Sequence, residues 1–209
     1  MKIAVINEVS ARDKNPMIME ALENRGFELF NPGMKSGDDN PSELTYIHTS
    51  LMAAILLNLG AVDFVVGGCG TGQGFLIASM QYPCVYTGLI VDPLDAWLYS
   101  QINGGNCISL PLNKGFGWAA NLNLKIIFDK LFQDEFGAGY PEARKASQKQ
   151  SRERLQAISN YTHRSMEEIL QETDAEILKA IFSYPEFKEL VQGEVKNKRL
   201  QNFIIGNYI

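Results

Sequence analysis

The sequence predicts an α/β protein: a doubly wound, Rossmann-like parallel sheet of about five strands with a C-terminal helical extension. Short runs rich in Val, Ile, Leu and Phe, at 3–6, 27–30, 63–66, 85–91 and 107–112, read as strands, several of them buried on both faces. Helix-like stretches alternate with these runs, the order of a sheet wound by crossover helices. Beyond residue 140 the character changes, and residues 160–209 read as helix.

Each element has its own signals. The first strand, Lys2 to Ile6, is followed by Asn15-Pro16, an N-cap with proline at the first helical position, and Gly26 closes that helix. Leu44, Ile47, Leu51, Ile55 and Leu59 fall on one helical face, ended by Gly60. The third strand opens into Gly67-Gly68-Cys69-Gly70-Thr71-Gly72-Gln73-Gly74, with a helix expected near Phe75. Asp92-Pro93 follows the fourth strand. Trp118 to Phe132 is apolar on more than one side, the pattern of a helix deeply buried or at a subunit interface. Pro141 to Arg154 carries five basic residues against Glu142 and Glu153, either a solvated helix face or an arm that brings arginine to a phosphate. Ser165-x-x-Glu168 is a capping box at the head of an apolar stripe. Residues 1–158 are read as the α/β domain, and 159–209 as an extension packed on the core or on a neighbouring subunit.

Composition narrows the function classes. The 209 residues are 45% hydrophobic and 21% charged, as in ordinary globular domains. A net charge of −5 argues against a nucleic-acid partner. No charged leader before an apolar core and no apolar run of about 18 residues is found, so a cytoplasmic protein without a membrane partner is expected. Three widely spaced cysteines and two histidines, without Cys-x-x-Cys, give weak support to zinc or disulfides.

The glycine run carries the chemistry. Gly70, Gly72 and Gly74 remove side chains that would block close approach, and the loop offers backbone N–H groups to an anion beside the Cys69 thiol. A cysteine near a helix N-terminus is more readily a thiolate. The alternative is a loop that only permits tight packing around an inert cysteine. A phosphate-binding Walker loop is excluded, because Phe75 and Leu76 stand where Lys and Ser/Thr would follow. The dinucleotide fingerprint is excluded as well: the first strand runs into Asn7-Glu8-Val9-Ser10 without glycine.

From Met1 to about Ile158 the chain resembles the ribose-5-phosphate isomerase type B / galactose-6-phosphate isomerase (RpiB/LacA/LacB) family. The most specific match is Cys69-Gly70-Thr71-Gly72-Gln73-Gly74, with Tyr46-x-His48, Asp92-Pro93 and Gln101-x-Asn103-x-x-Asn106 in order. The resemblance implies aldose–ketose isomerisation of a sugar or sugar phosphate through an enediolate, without metal or organic cofactor. Cys69 would be the general base, and the amides of Gly70 to Gly74, with Thr71, would hold the enediolate oxygen. Asn103 would reach in from an adjacent subunit, which implies a homodimer or higher oligomer with shared sites.

The departures from the family pattern are specific. Ile102 stands where the family has its ring-opening histidine, and Asn7-Glu8 replaces an Asp-His pair. Of two phosphate-holding arginines only Arg154 remains, Gln150 taking the other place, and a basic position after the fifth strand is Asn113, next to Lys114. Cys69, Thr71 and Glu8 are the catalytic candidates, and Asn7, Tyr46, Gly70, Gly72, Gly74, Asn103 and Arg154 the substrate-binding ones. Glu8 or His48 would replace the missing acid–base group. The alternative is a sugar-binding or regulatory subunit of the same fold that no longer turns substrate over; a cysteine hydrolase is weaker, because no histidine is placed near Cys69.

Overall fold

A computed structural model of the chain describes residues 1–37 and 42–209. Strands β1 (Lys2–Ile6), β2 (Glu28–Phe30), β3 (Phe64–Cys69), β4 (Thr87–Leu89) and β5 (Cys107–Pro111) form one sheet in the order β2-β1-β3-β5-β4. Every pair is parallel, with Val5 beside Val66 and Cys69 beside Pro111. Parallel neighbours need crossovers, supplied by α1 (Asn15–Leu22), α2 (Tyr46–Leu59), α3 (Gln73–Ser79), α4 (Pro93–Leu98) and the turn after it. Helix α5 (Ala120–Leu131) follows β5.

Strand alternation divides the core. Ile3, Val5 and Val66 pack with Ile18, Leu22 and Phe128 on one face of the sheet. Ala4, Ile6 and Val65 pack with Leu51, Ile55 and Phe75 on the other. Burying each such large side chain contributes roughly 1.5–3 kcal/mol.

The chain after α5 continues in helices α6 (Lys145–Thr162), α7 (Met166–Glu172), α8 (Ala175–Phe182), α9 (Pro185–Gln192) and α10 (Lys198–Tyr208). Leu170, Ile181, Phe187 and Ile204 join the same core as α2. This explains why α2 is buried over eight consecutive residues, Thr49 to Leu56, rather than along the single stripe expected. A helix covered by a sheet on one side and by other helices on the other has no solvent face left there. The division at residue 158 falls inside α6, whose only buried residue is Ser159, so most of its basic run is solvated. The capping box at Ser165 forms as expected.

Three local departures have identifiable causes. Asn15 is the first residue of α1, not its cap, and its amide is drawn into a buried network described below. That helix ends at Leu22, because Glu23 leaves helical geometry at ψ 155. β3 runs beyond Val66 to Cys69, since its pairing with β5 continues through Gly67, Gly68 and Cys69. Here a Cβ on Gly67 would lie 2.2 Å from Phe75 Cζ, and one on Gly68 2.4 Å from the Leu110 carbonyl oxygen. β4 is shorter than 85–91 because Tyr86 gives its N–H to the Asn106 side chain, 2.9 Å away, instead of a strand. Within one chain α5 is buried on one face only: Trp118 just before it is 99% exposed, and Leu122 and Ile126 are exposed too. Among the described residues no helix is long and apolar enough to cross a membrane.

Candidate active site

In an open parallel sheet, the crevice for ligands forms where the winding reverses, beyond the carboxyl ends of the strands. Here the chain leaves β1 toward β2 on one side, while β3 is followed by β5 and β4 on the other. The segments after β1 and β3 therefore meet at the reversal, and they hold Asn7-Glu8-Val9-Ser10 and the Cys69 loop.

Cys69 ends β3 as a free thiol, 7% exposed. Its Sγ lies 4.0 Å from Thr71 Oγ1, which also accepts the Gln73 N–H at 3.3 Å. Gly72 forms the N-cap of α3 with φ +76, a conformation that favours glycine, and a Cβ there would lie 2.7 Å from Leu89 Cδ1. The expected row of free amides is thinner than the sequence implies. Gly70 N–H goes to Ser10 Oγ at 3.2 Å, and Gly72 N–H to the Cys69 carbonyl at 3.2 Å. Among the described residues Thr71 and Gly74 keep N–H groups without a partner in the chain. Tyr46 lies against Gly74: a Cβ on that glycine would meet its ring at 3.0 Å.

Glu8 caps the short 3-10 turn Val9–Lys14 and is 4% exposed. Its carboxylate accepts hydrogen bonds from Ser10 N–H at 3.2 Å and from Ser10 Oγ. Asn113 Nδ2 donates to the Ser10 carbonyl at 2.7 Å, tying the loop after β5 to the same turn. Asn7 is 1% exposed: its Nδ2 donates to the Ala11 carbonyl at 3.2 Å, and its Oδ1 accepts from Asn15 Nδ2 at 3.0 Å. Asn15 also exchanges hydrogen bonds with Asn31 at 2.7 and 2.9 Å. These contacts make Asn7 a support behind the crevice.

His48 takes the bland role the sequence allowed. Its Nδ1 accepts the Thr45 N–H at 3.1 Å, closing the capping box of α2, and partial burial holds its pKa below the ordinary histidine value. Cys107 is fully buried in β5, and burial pushes its thiol up to about 12.

Asn103 and Arg154 do not join this cluster within one chain. Asn103 lines a separate cavity of ≈ 400 Å³ with Tyr86, Asn106, Lys149 and Arg152. Arg152 is committed to the backbone, donating to the carbonyls of Ile102 at 2.9 Å and Gly137 at 2.8 Å. Arg154 is exposed on α6 and does not line the cavity. Sequence reasoning missed Ser10 and treated Asn113 only as a lost basic position. The signal for Ser10 was the Glu8-x-Ser10 spacing in the turn after β1; Lys149 was hidden in a run of similar charges.

The family model described as Ribose/Galactose Isomerase matches residues 3–147. Two solved structures resemble the chain from end to end, both with a TM-score of 0.93 and covering 99% of this chain and 98% of their own. One is a 4-deoxy-L-threo-5-hexosulose-uronate ketol-isomerase complexed with a tartrate, 43% identical. The other is a ribose-5-phosphate isomerase from Vibrio parahaemolyticus, 40% identical. A ribose 5-phosphate isomerase from Thermotoga maritima, 23% identical with a TM-score of 0.56, covers 70% of this chain and 96% of its own and so shares the fold over that length. A comparison with curated proteins gives no match. With that model spanning most of the chain and the cysteine–glycine loop set at the reversal of the sheet, the chain belongs to the ribose/galactose isomerase family.

Proposed function

We propose that the protein is a ketol-isomerase for an open-chain, unphosphorylated sugar acid of the 4-deoxy-5-hexosulose-uronate type. The observation that carries the isomerisation is Cys69 at the switch of the sheet, with the free amides of Thr71 and Gly74 in the same loop. In this reading the Cys69 thiolate takes a proton from C2 and returns it to C1, and the two amides hold the negative enediolate oxygen. Tyr46, against Gly74, borders the substrate.

The departures from the sugar-phosphate pattern favour this substrate class. A 4-deoxy-5-keto sugar lacks the C4 and C5 hydroxyls that would close a furanose or pyranose ring. Ile102 in place of a ring-opening histidine then costs nothing. A carboxylate in place of phosphate needs fewer cations, consistent with Gln150 where the second arginine would stand. The similarity to the uronate ketol-isomerase over both whole chains supports the same choice.

A homodimer completes the site. The exposed Trp118, Leu122 and Ile126 at α5 offer apolar side chains for a second copy to cover, as Leu155 and Ile158 do on α6. Asn103 and Lys149 of that copy would meet the acid end of the substrate, with Arg154 at the rim. The enzyme would work in the cytoplasm.

The test is to follow interconversion of 4-deoxy-L-threo-5-hexosulose uronate and, separately, of ribose 5-phosphate in deuterated water. Turnover of the uronate with deuterium appearing at C1, abolished in a folded Cys69→Ala variant, is expected. Turnover of ribose 5-phosphate alone overturns the substrate choice, and exchange that survives Cys69→Ala overturns the base.

A further inference from the structure

The isomerisation moves two kinds of proton, and Cys69 accounts for one. While a carbon-bound proton passes from C2 to C1, the hydroxyl proton of O2 has to leave and O1 has to gain one. Glu8 has the right chemistry but the wrong place, since at 4% exposure its carboxylate is closed off from a substrate. Ser10 is its outlet. The serine is exposed, its Oγ donates to Glu8 Oε1, and the same oxygen accepts the Gly70 N–H at 3.2 Å. A hydroxyl has one proton and two lone pairs. The proton is committed to the carboxylate and one lone pair to the residue that follows Cys69, which leaves one lone pair on an exposed oxygen.

The position of Ser10 is fixed from three sides. Its N–H donates to Glu8 Oε2 at 3.2 Å, Asn113 Nδ2 holds its carbonyl at 2.7 Å, and Gly70 holds its Oγ. Asn113 N–H in turn donates to the Gly70 carbonyl at 2.9 Å, so the turn after β1, the Cys69 loop and the loop after β5 are locked together. Such an exposed hydroxyl backed by a buried carboxylate is prepared to pass a proton without moving.

We infer that Ser10 and Glu8 form a proton relay for the substrate oxygens, a role that rests on the isomerase reading above. As the Cys69 thiolate takes the C2 proton, the C2–H electron pair becomes the C1–C2 double bond and the C1 carbonyl pair moves onto O1. The O2 hydroxyl proton passes to Ser10 Oγ while the proton of Ser10 crosses to Glu8 Oε1. The reverse transfer, from Glu8 through Ser10, places a proton on O1. As the O2 carbonyl forms, C1 takes back the proton from sulfur. C1 is reduced, C2 is oxidised, and no outside oxidant or proton is consumed.

The test uses the full chain with 4-deoxy-L-threo-5-hexosulose uronate and the variants Ser10→Ala, Glu8→Gln, the double variant and Ser10→Thr. Groups that transfer protons contribute about 10²–10⁴-fold to rate. Ser10→Ala and Glu8→Gln should each lower kcat by roughly that factor with KM little changed, and the double variant should be no slower than the slower single one, because the two act as a unit. Ser10→Thr, which keeps the hydroxyl, should restore most of the rate. In mixtures of light and heavy water the wild-type rate should bend with deuterium fraction, as for two protons in flight, and become linear in Ser10→Ala. Losses that multiply in the double variant, or a Ser10→Ala enzyme as fast as the wild type, overturn the relay. A wild-type enzyme that turns over ribose 5-phosphate but no uronate instead overturns the substrate choice, and the same variants then test the relay on ribose 5-phosphate. Glu8→Gln keeps the shape of the buried group, so the relay is tested even if Ser10→Ala loosens the turn.

Discussion

The amide cluster Asn7–Asn15–Asn31 gives the sharpest test of how the crevice is supported. Replacing Asn15 with Ala removes three hydrogen bonds, to Asn7 at 3.0 Å and to Asn31 at 2.7 and 2.9 Å. At about 0.5–1.5 kcal/mol net for each, and with Asn7 Oδ1 left buried without its donor, the loss should be about 2–4 kcal/mol. For a chain of this size that corresponds to roughly 4–16 °C in the unfolding midpoint. The sequence alone reads Asn15 as a helix cap, and the two roles separate cleanly. A cap is kept by Ser or Asp, whereas the network needs the amide donor that neither supplies. Urea unfolding of Asn15→Ala, Asn15→Ser and Asn15→Asp should give similar large losses, and a double-mutant cycle with Asn7→Ala should show a coupling of about 1 kcal/mol or more. An Asn15→Ser protein within about 0.5 kcal/mol of the wild type would refute the reasoning and restore the cap.

Three further outcomes follow from the same structure. Because His48 is held below its ordinary pKa, the unfolded chain binds its proton first as pH falls through about 6.5; stability is therefore full above that value and declines below it. His48→Gln, which can still accept the Thr45 N–H, should flatten this decline in urea titrations between about pH 7 and 5, and an unchanged slope would remove His48 as its source. With its pKa raised to about 12 and no exposure, Cys107 should stay unlabelled by a thiol reagent at about pH 8 until denaturant is added, as read by peptide mass spectrometry. Gly67→Ala would set a Cβ 2.2 Å from the buried Phe75 ring and should cost about 1–3 kcal/mol in urea unfolding while disturbing the start of α3; a neutral effect would mean that the ring yields freely.

The Cys69 loop was legible because its signal is local. The Cys69 run, its place after a strand, the capping box at Ser165 and the parallel sheet all follow from residue types at short spacing. The support of the crevice was not legible. Asn15 lies eight residues from Asn7 and sixteen from Asn31, and only the pairing of β1 with β2 brings the three amides together. Ser10 and Gly70 are sixty residues apart, and no local rule assigns the one as partner of the other.

By itself, then, the sequence determined the alternation of strands and helices, the thiol in a glycine-rich turn and the helical tail, since these rest on periodicity, steric freedom and side-chain chemistry within a few residues. Only the tertiary structure decided which amides of that turn stay free, that Asn7 faces inward while Ser10 faces out, and that α2 is covered on both sides. Each of these depends on competition among distant partners for the same hydrogen bond or the same apolar surface, and only the packing of the whole chain resolves that competition.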